Sequence, residues 1–295
     1  MQVALIDVDS KIPNVALMKL SAYHKNLGDD VKLGYDPLFD RPELCYMSKM
    51  FDFTDEPEYV PNCEIRRGGP GYSMDADIGI DGFDSIMPDY SLYNCDYAIG
   101  RFTRGCPNGC PWCVVPKMDG HEVRHVADLR DFWDGQENVR LLDDNIMADG
   151  DEFCRDCEQL HEARVNVVWD ALDIRLVNDD TARAIHGVRM KKGKYLHFAW
   201  DSHAQDDAVP TGIATLKRNG VLPYRLMFYI LVGFNDDREY DMYRIKTVHS
   251  LGAHPFVMPF DKTDRYQKDL ARWCNNKFIF RKCSFEEYRS GKLER

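Results

Sequence analysis

Cys95-Asp-Tyr-Ala-Ile-Gly-Arg-Phe-Thr103 runs directly into Arg104-Gly-Cys-Pro-Asn-Gly-Cys-Pro-Trp-Cys-Val-Val-Pro116, a strand-like segment followed by three thiols within eight residues. Gly and Pro punctuate the thiols, so the second segment reads as a loop folded around a bound group. A tetrahedral zinc site takes four protein ligands, often as two separated pairs. Here no fourth Cys or His follows closely, the next being His121. Three soft thiolates suit a four-iron cluster with one iron left open, which makes Cys106, Cys110 and Cys113 the metal-ligand candidates.

Downstream of this loop, strand and helix signals alternate. Val123 to Trp133 reads as a helix from its apolar spacing, and Val139-Arg-Leu-Leu-Asp-Asp-Asn145 as a strand. A helix over 151–163 follows, then a strand over 165–170 and a helix over 179–188. The next strand is Tyr195-Leu-His-Phe-Ala-Trp-Asp-Ser202, with a helix over 210–218. Tyr224 to Phe234 and His254 to Phe260 are the last strands, separated by a helix from Glu239 to Leu251 that Gly252 ends. Six β-α repeats at about 30-residue spacing imply a parallel sheet curving as a complete or partial barrel. Strand after strand ends in polar residues: Asp143-Asp144-Asn145, Asp170, Asp201-Ser202 and Asn235-Asp236. Active sites of barrels lie at those carboxyl ends, and the cysteine loop follows the first strand to the same rim.

Upstream, Val3 to Asp9 reads as a buried parallel strand. Pro13 stands where a helix begins, and Gly28 where it stops. Val31 to Tyr35 is the next strand. This β-α-β opening predicts an open Rossmann-like sheet, with further strands over 45–51 and 64–66. Gly68-Gly-Pro-Gly71 reads as a glycine-rich turn in preference to a phosphate loop, because no evident helix follows it. Residues 75–93 form an irregular linker. The fold class is therefore α/β: a Rossmann-like open parallel sheet over 1–92, a partial (β/α)6 TIM-type barrel over 93–260, and a short C-terminal helical extension over 261–295.

The composition bounds the function. The chain has 295 residues, 44% of them hydrophobic, and no apolar run long enough for a membrane span. With no signal-peptide pattern at its start, it is expected to be cytoplasmic, with its ten cysteines reduced or ligating metal. Net charge of −11 argues against strong nonspecific nucleic-acid binding. Arg66-Arg67 and Lys191-Lys192-Gly-Lys194 are the nearest approach to a basic patch, and both read as solvated turns.

The C-x3-C-x2-C spacing, with aromatic Trp112 before the last Cys, resembles the signature of the radical S-adenosylmethionine (SAM) superfamily. Residues from about 95 to 260 are similar to its partial-barrel core. The resemblance implies that Cys106, Cys110 and Cys113 hold a [4Fe–4S] cluster. SAM would bind its open iron, and an electron passed through the cluster from an external flavodoxin- or ferredoxin-like donor would cleave it to methionine and a 5′-deoxyadenosyl radical. Trp112 then corresponds to the aromatic beside the cluster. Where many members carry Gly-Gly-Glu for the SAM amino group, this chain has Asp143-Asp144-Asn145. Asp201-Ser202 resembles an acidic-Ser pair for the ribose hydroxyls, with Asp170 at the end of the preceding strand. Leu231 and Gly233 match an adenine-contact pattern, Tyr229-x-Leu-x-Gly-x-x-Asp236, from which Tyr229 departs. Asp173 and Arg175 form either a contact to the SAM carboxylate or a structural ion pair.

The N-terminal unit resembles in architecture the cobalamin-binding domain of methylthiotransferase-type and cobalamin-type members. Those domains ligate cobalt through the His of an Asp-x-His-x-x-Gly loop. Asp7-Val-Asp-Ser-Lys11 has no His, and no cobalamin is expected. Cys154 and Cys157, with Cys274 or Cys283, offer an auxiliary cluster or simple helix packing. The aromatic-rich tail beyond Tyr266 offers packing or an RNA-stacking surface. The competing reading of the whole chain is a non-enzymatic binding module stabilised by zinc or by a cluster.

Overall fold

The computed structural model describes residues 1–74, 78–234 and 237–291. It divides into two compact units: an N-terminal one of residues 1–146 and 163–167, and a C-terminal one of residues 147–162 and 168–295.

In the N-terminal unit, β1 (Gln2–Asp7), α1 (Val15–Asn26), β2 (Asp30–Leu33), β3 (Leu44–Ser48) and β4 (Glu64–Gly68) build an all-parallel sheet in the order β2-β1-β3-β4. Central parallel strands are covered on both faces, so β1 and β3 carry continuous apolar runs, Val3 to Ile6 and Leu44 to Met47. Val3, Leu5, Leu44 and Tyr46 pack under Leu17 and Leu20 of α1 on one face. Ala4, Ile6, Cys45 and Met47 make the core of the other. Asn14 caps α1, its Oδ1 accepting Leu17 N–H at 3.2 Å while its Nδ2 donates to Ser48 Oγ at 2.8 Å. One side chain thus starts the helix and ties it to the end of β3. Gly69 adopts φ +90°, and a Cβ there would fall 2.5 Å from Lys49 O, so the turn reading of that glycine run describes its role.

The same unit continues with β5 (Ala98–Gly100), β6 (Thr103–Arg104), α2 (Val115–Met118), β7 (Arg124–His125) and β8 (Asn138–Leu141). β5 pairs parallel with β8, to which β9 (Asn166–Val168) adds. The helix expected over 123–133 is not formed. Thr103 pairs antiparallel with His125, and Arg104 with Arg124. Val126 and Ala127 N–H both donate to Phe102 O, and only a short 3-10 turn follows, over 129–131, in a capping box of Asp128 with Asp131. The apolar spacing there serves a returning chain that closes the cysteine loop, with Leu129 and Phe132 buried.

The C-terminal unit carries α3 (Gly150–Glu162), α4 (Asp179–Gly187), β10 (Arg189–Met190), β11 (Leu196–Ala199), α5 (Ala208–Arg218), β12 (Leu226–Val232), α6 (Arg238–Ser250) and β13 (His254–Pro259). β11, β12 and β13 form a parallel sheet in that order. In β12 the period-2 pattern is complete: Leu226, Phe228, Ile230 and Val232 are buried, and the residues between them half-buried. On that second face His197 stacks on Tyr229 at 5.1 Å between ring centres, and Tyr229 meets Phe256 edge-on. His197 Nδ1 bonds Trp169 O at 2.7 Å, a satisfied interior imidazole. α7 (Arg265–Asn275), α8 (Lys277–Lys282) and α9 (Phe285–Ser290) close the chain. Trp273 gathers Phe280 and Phe285 around its ring, so those aromatics of the tail are used in packing. Among the described residues no helix is long and apolar enough to cross a membrane.

Candidate functional site

The cysteine loop leaves β6 through Gly105, at φ +88°, where a Cβ would lie 2.2 Å from Glu122 O. Only glycine fits, because the outgoing and returning chains touch there. Cys106 N–H then donates to Gly120 O, and Cys113 N–H to Cys110 O. All three thiols are half-buried, as is Trp112.

Three consecutive residues at the carboxyl end of β8 hold successive parts of this loop. Asp143 Oδ1 accepts Phe102 N–H at 3.0 Å, Thr103 N–H at 2.7 Å and Thr103 Oγ1–H at 2.9 Å. Asp144 Oδ2 accepts Gly105 N–H at 2.9 Å. Asn145 Nδ2 points at Cys106 Sγ from 3.8 Å, a polar N–H aimed at the first sulfur. The run predicted at a strand end is thus the brace of the cysteine loop.

Its electrostatics are unusual. Burial pushes the Asp143 carboxyl up to about 6, against the pull of the Thr103 and Phe102 donors and of the Arg101 charge. Its Oδ2 is buried with no hydrogen-bond partner. Burial also raises Asp144, opposed by Arg101, with the neighbouring Asp119 adding to the rise. Arg101 lies 3.4 Å from Asp119 and 3.9 Å from Asp144, while Arg104 grips Asp119 at 2.9 Å and Asp84 at 2.8 Å. Sequence reasoning passed over Arg101, Arg104 and Asp119. Their signal was three charges bracketing the thiols, and what they meet depends on long-range contacts.

Beside this network lies a cavity of about 540 Å³. Ser10, Lys11 and Pro13 line it from the loop after β1, Met50 and Phe51 from beyond β3, and Gly69 and Pro70 from beyond β4. Arg101, Asp119 and Leu142 complete it. Its place is the carboxyl ends of a sheet whose order reverses between β1 and β3, where open α/β folds bind ligands. Asp9 fixes one wall, its carboxylate accepting Met50 N–H, Phe51 N–H and the Thr54 hydroxyl.

In the C-terminal unit the predicted residues fall into separate small groups. Asp201 Oδ1 accepts Leu231 N–H at 2.8 Å, and burial raises its carboxyl. Ser202 enters a capping box with Gln205, whose Oε1 accepts the N–H groups of Asp201 and Ser202. Asp173 receives the Arg175 guanidinium as a two-point fork at 2.9 and 2.6 Å, so the ion pair of the two readings is present. Asp170 lies 3.4 Å from His197. At Gly233, φ +83°, a Cβ would meet Gln267 Nε2 at 2.1 Å, so α7 packs against this glycine. Asn235 and Asp236, expected at the same strand end, lie outside the described residues. Cys157 and Cys274 are buried thiols, the latter pushed up to about 12 by burial, and Cys283 donates to Ile279 O.

No family model matches the chain. Among solved structures it is similar to the radical S-adenosylmethionine methyltransferase TsrM from Kitasatospora setae. The form with cobalamin and a [4Fe–4S] cluster bound aligns with TM-score 0.65 at 11% identity, covering 88% of this chain and 74% of that one. The form with tryptophan substrate and the SAM analogue aza-SAM gives 0.64 at 11% identity, covering 87% and 72%. At that identity the likeness concerns the fold alone.

Proposed function

We propose that this chain is a radical SAM enzyme in which Cys106, Cys110 and Cys113 hold a [4Fe–4S] cluster. The observation that carries the reading is the loop itself. Three half-buried thiols are shaped by Gly105 and braced, residue by residue, by Asp143, Asp144 and Asn145. A soft three-sulfur donor set with an amide N–H directed at one sulfur fits an iron–sulfur cluster. When bound, cluster and SAM together supply reductive cleavage of the sulfonium to a 5′-deoxyadenosyl radical that takes hydrogen from a substrate, the electron coming from a flavodoxin- or ferredoxin-type donor.

The chain supplies position and charge. Asp144 is the carboxylate proposed for the SAM ammonium. It shares Arg101 with Asp119 and is held above the usual carboxylate range, so an added cation relieves the crowding. Asp201 and Ser202 are proposed for the ribose, with Leu231 and Gly233 toward the adenine and Trp112 beside the cluster. The parallel strands over 93–260 are read as the partial barrel, preceded by the α/β domain of 1–92 and followed by the extension of 261–295. The 540 Å³ cavity is the proposed substrate side of the site. A corrinoid ligated through an Asp-x-His-x-x-Gly loop does not fit. Asp7 and Asp9 of the corresponding loop are engaged by Ser10, Tyr93, Met50 and Phe51, and no histidine lines the cavity.

Anaerobic reconstitution is expected to give about four irons per chain, with reductant-dependent release of 5′-deoxyadenosine. Cys110→Ala is expected to lose the cluster and reduce that release to background. A Cys110→Ala protein that kept both its iron and SAM cleavage would overturn the assignment.

A further inference from the structure

In the C-terminal unit, the amino ends of β11, β12 and β13 adjoin a second pocket, of about 440 Å³. Lys191, Lys192 and Lys194 reach it from the turn after β10, Arg225 from just before β12, and Lys277 and Arg281 from α8. No carboxylate lines it. Among the described residues Lys192, Lys194, Arg225, Lys277 and Arg281 have no carboxylate partner. Other arginines of this unit are paired, Arg175 with Asp173, Arg183 with Asp180 and Arg218 with Asp179, whereas Arg225 and Arg281 are not. In a chain with 49 acidic residues against 38 Lys and Arg, six cations around one acid-free pocket are a local reversal of sign. Like charges gathered around one pocket repel one another, which a polyvalent anion would reverse.

Two neighbouring observations describe the ligand. His254, at the start of β13, is held below the ordinary imidazole range by burial and then by the charges of Lys277 and Arg281, so the pocket disfavours a further proton. The Tyr195 ring is already used, lying under Lys277 Nζ at 4.3 Å and against the His254 edge. Tyr224, in contrast, lines the pocket with 60% of its surface exposed, a flat face beside the cations. Clustered Lys and Arg with an open aromatic is the combination that takes phosphates on the charges and a base on the ring.

We propose that this pocket binds a nucleoside phosphate, its phosphates on the lysine and arginine side chains and its base on Tyr224. The site lies at the amino ends of the strands whose carboxyl ends carry Asp201-Ser202 and Gly233. It is therefore separate from the residues proposed for SAM and stands whether or not the radical reading does. The negative net charge, which argues against unspecific polyanion binding, acts over the whole surface and does not cancel a pocket with no acid in its lining.

The test is fluorescence anisotropy on the full chain, with a labelled ATP analogue and a labelled single-stranded oligonucleotide as probes and tripolyphosphate as competitor. At least one nucleotide probe is expected to bind, more weakly as salt rises. Lys192→Gln/Lys194→Gln/Arg281→Gln is expected to lose about tenfold or more in affinity, and Tyr224→Ala a smaller factor. Arg155→Gln/Arg183→Gln, at exposed and already paired positions, is expected to leave affinity unchanged. Binding of ATP alone assigns a free nucleotide, and tighter binding of the oligonucleotide assigns a strand. No binding by either probe, affinity unchanged in the triple variant at unaltered melting temperature, or tripolyphosphate competing as well as ATP would each overturn the proposal.

Discussion

Arg244→Leu is expected to destabilise the C-terminal unit by about 3–5 kcal/mol, the cost of breaking a buried ion pair from one side. Arg244, on α6, is 2% exposed. It donates to Trp200 O at 2.7 Å, to Leu231 O at 2.8 Å and to Asp241 Oδ1 at 2.5 Å. The guanidinium thus joins the carboxyl end of β12 and the residue following β11 to one helix. Without it, two carbonyls and a carboxylate are left in a buried setting, and burial already raises the Asp241 carboxyl despite the Arg244 charge. Urea denaturation followed by tryptophan fluorescence reads the loss, and hydrogen exchange should accelerate locally at Leu231, which also carries the N–H bonded to Asp201. Asp241→Leu/Arg244→Leu should recover a large part of the stability, because it removes the orphaned charge as well. A single variant within about 1 kcal/mol of the parent would contradict this role.

The second large effect belongs to Asp143. Asp143→Leu withdraws the acceptor from Phe102 N–H, Thr103 N–H and the Thr103 hydroxyl. Each buried donor left unsatisfied costs about 1–3 kcal/mol, so a loss of about 3 kcal/mol or more is expected, with fast amide exchange at 102–103 and poor retention of iron. Asp143→Asn keeps the acceptor and removes the titration. The folded carboxyl is raised to about 6, so the folded state holds this proton more tightly than the unfolded chain does. The resulting stabilisation is fully present below the unfolded value near pH 4 and is lost as pH rises through about 6. Relative to Asp143→Asn, the parent should therefore gain about 1.4 kcal/mol between pH 7.5 and pH 5. Parallel stability profiles for the two proteins would show that Asp143 does not titrate in that window.

Much of this architecture could be read from local pattern. The central strands β1 and β3 of the first sheet carry continuous apolar runs because both faces are covered there, and β12 alternates because only one face is fully buried. Helices α3 to α6 were legible from their spacing, and the end of α6 from Gly252. The segment 123–133 forms no helix although Val126, Leu129 and Phe132 have helical spacing. The backbone N–H groups of Val126 and Ala127 instead answer to Phe102, more than twenty residues upstream. Similar reasons hid the finer structure of the site. Acids at a strand end were visible, but that three successive side chains would hold three successive parts of one loop is a fact of register between β5 and β8. Arg244 sits three residues from Asp241 on α6, a spacing that carries no sign of burial. Its burial appears only when β11 and β12 are packed against that helix. The lysines of 191–194 read as a solvated turn because Arg225, Lys277 and Arg281 join them only in space.

The most direct test of the radical reading is the visible spectrum of the anaerobically reconstituted protein, recorded before and after SAM is added. Three thiolates from Cys106, Cys110 and Cys113 leave one iron open. The expected result is a brown protein whose absorption shifts on SAM addition and fails to form in Cys110→Ala. A colourless zinc protein, or a cluster whose spectrum ignores SAM, would contradict it.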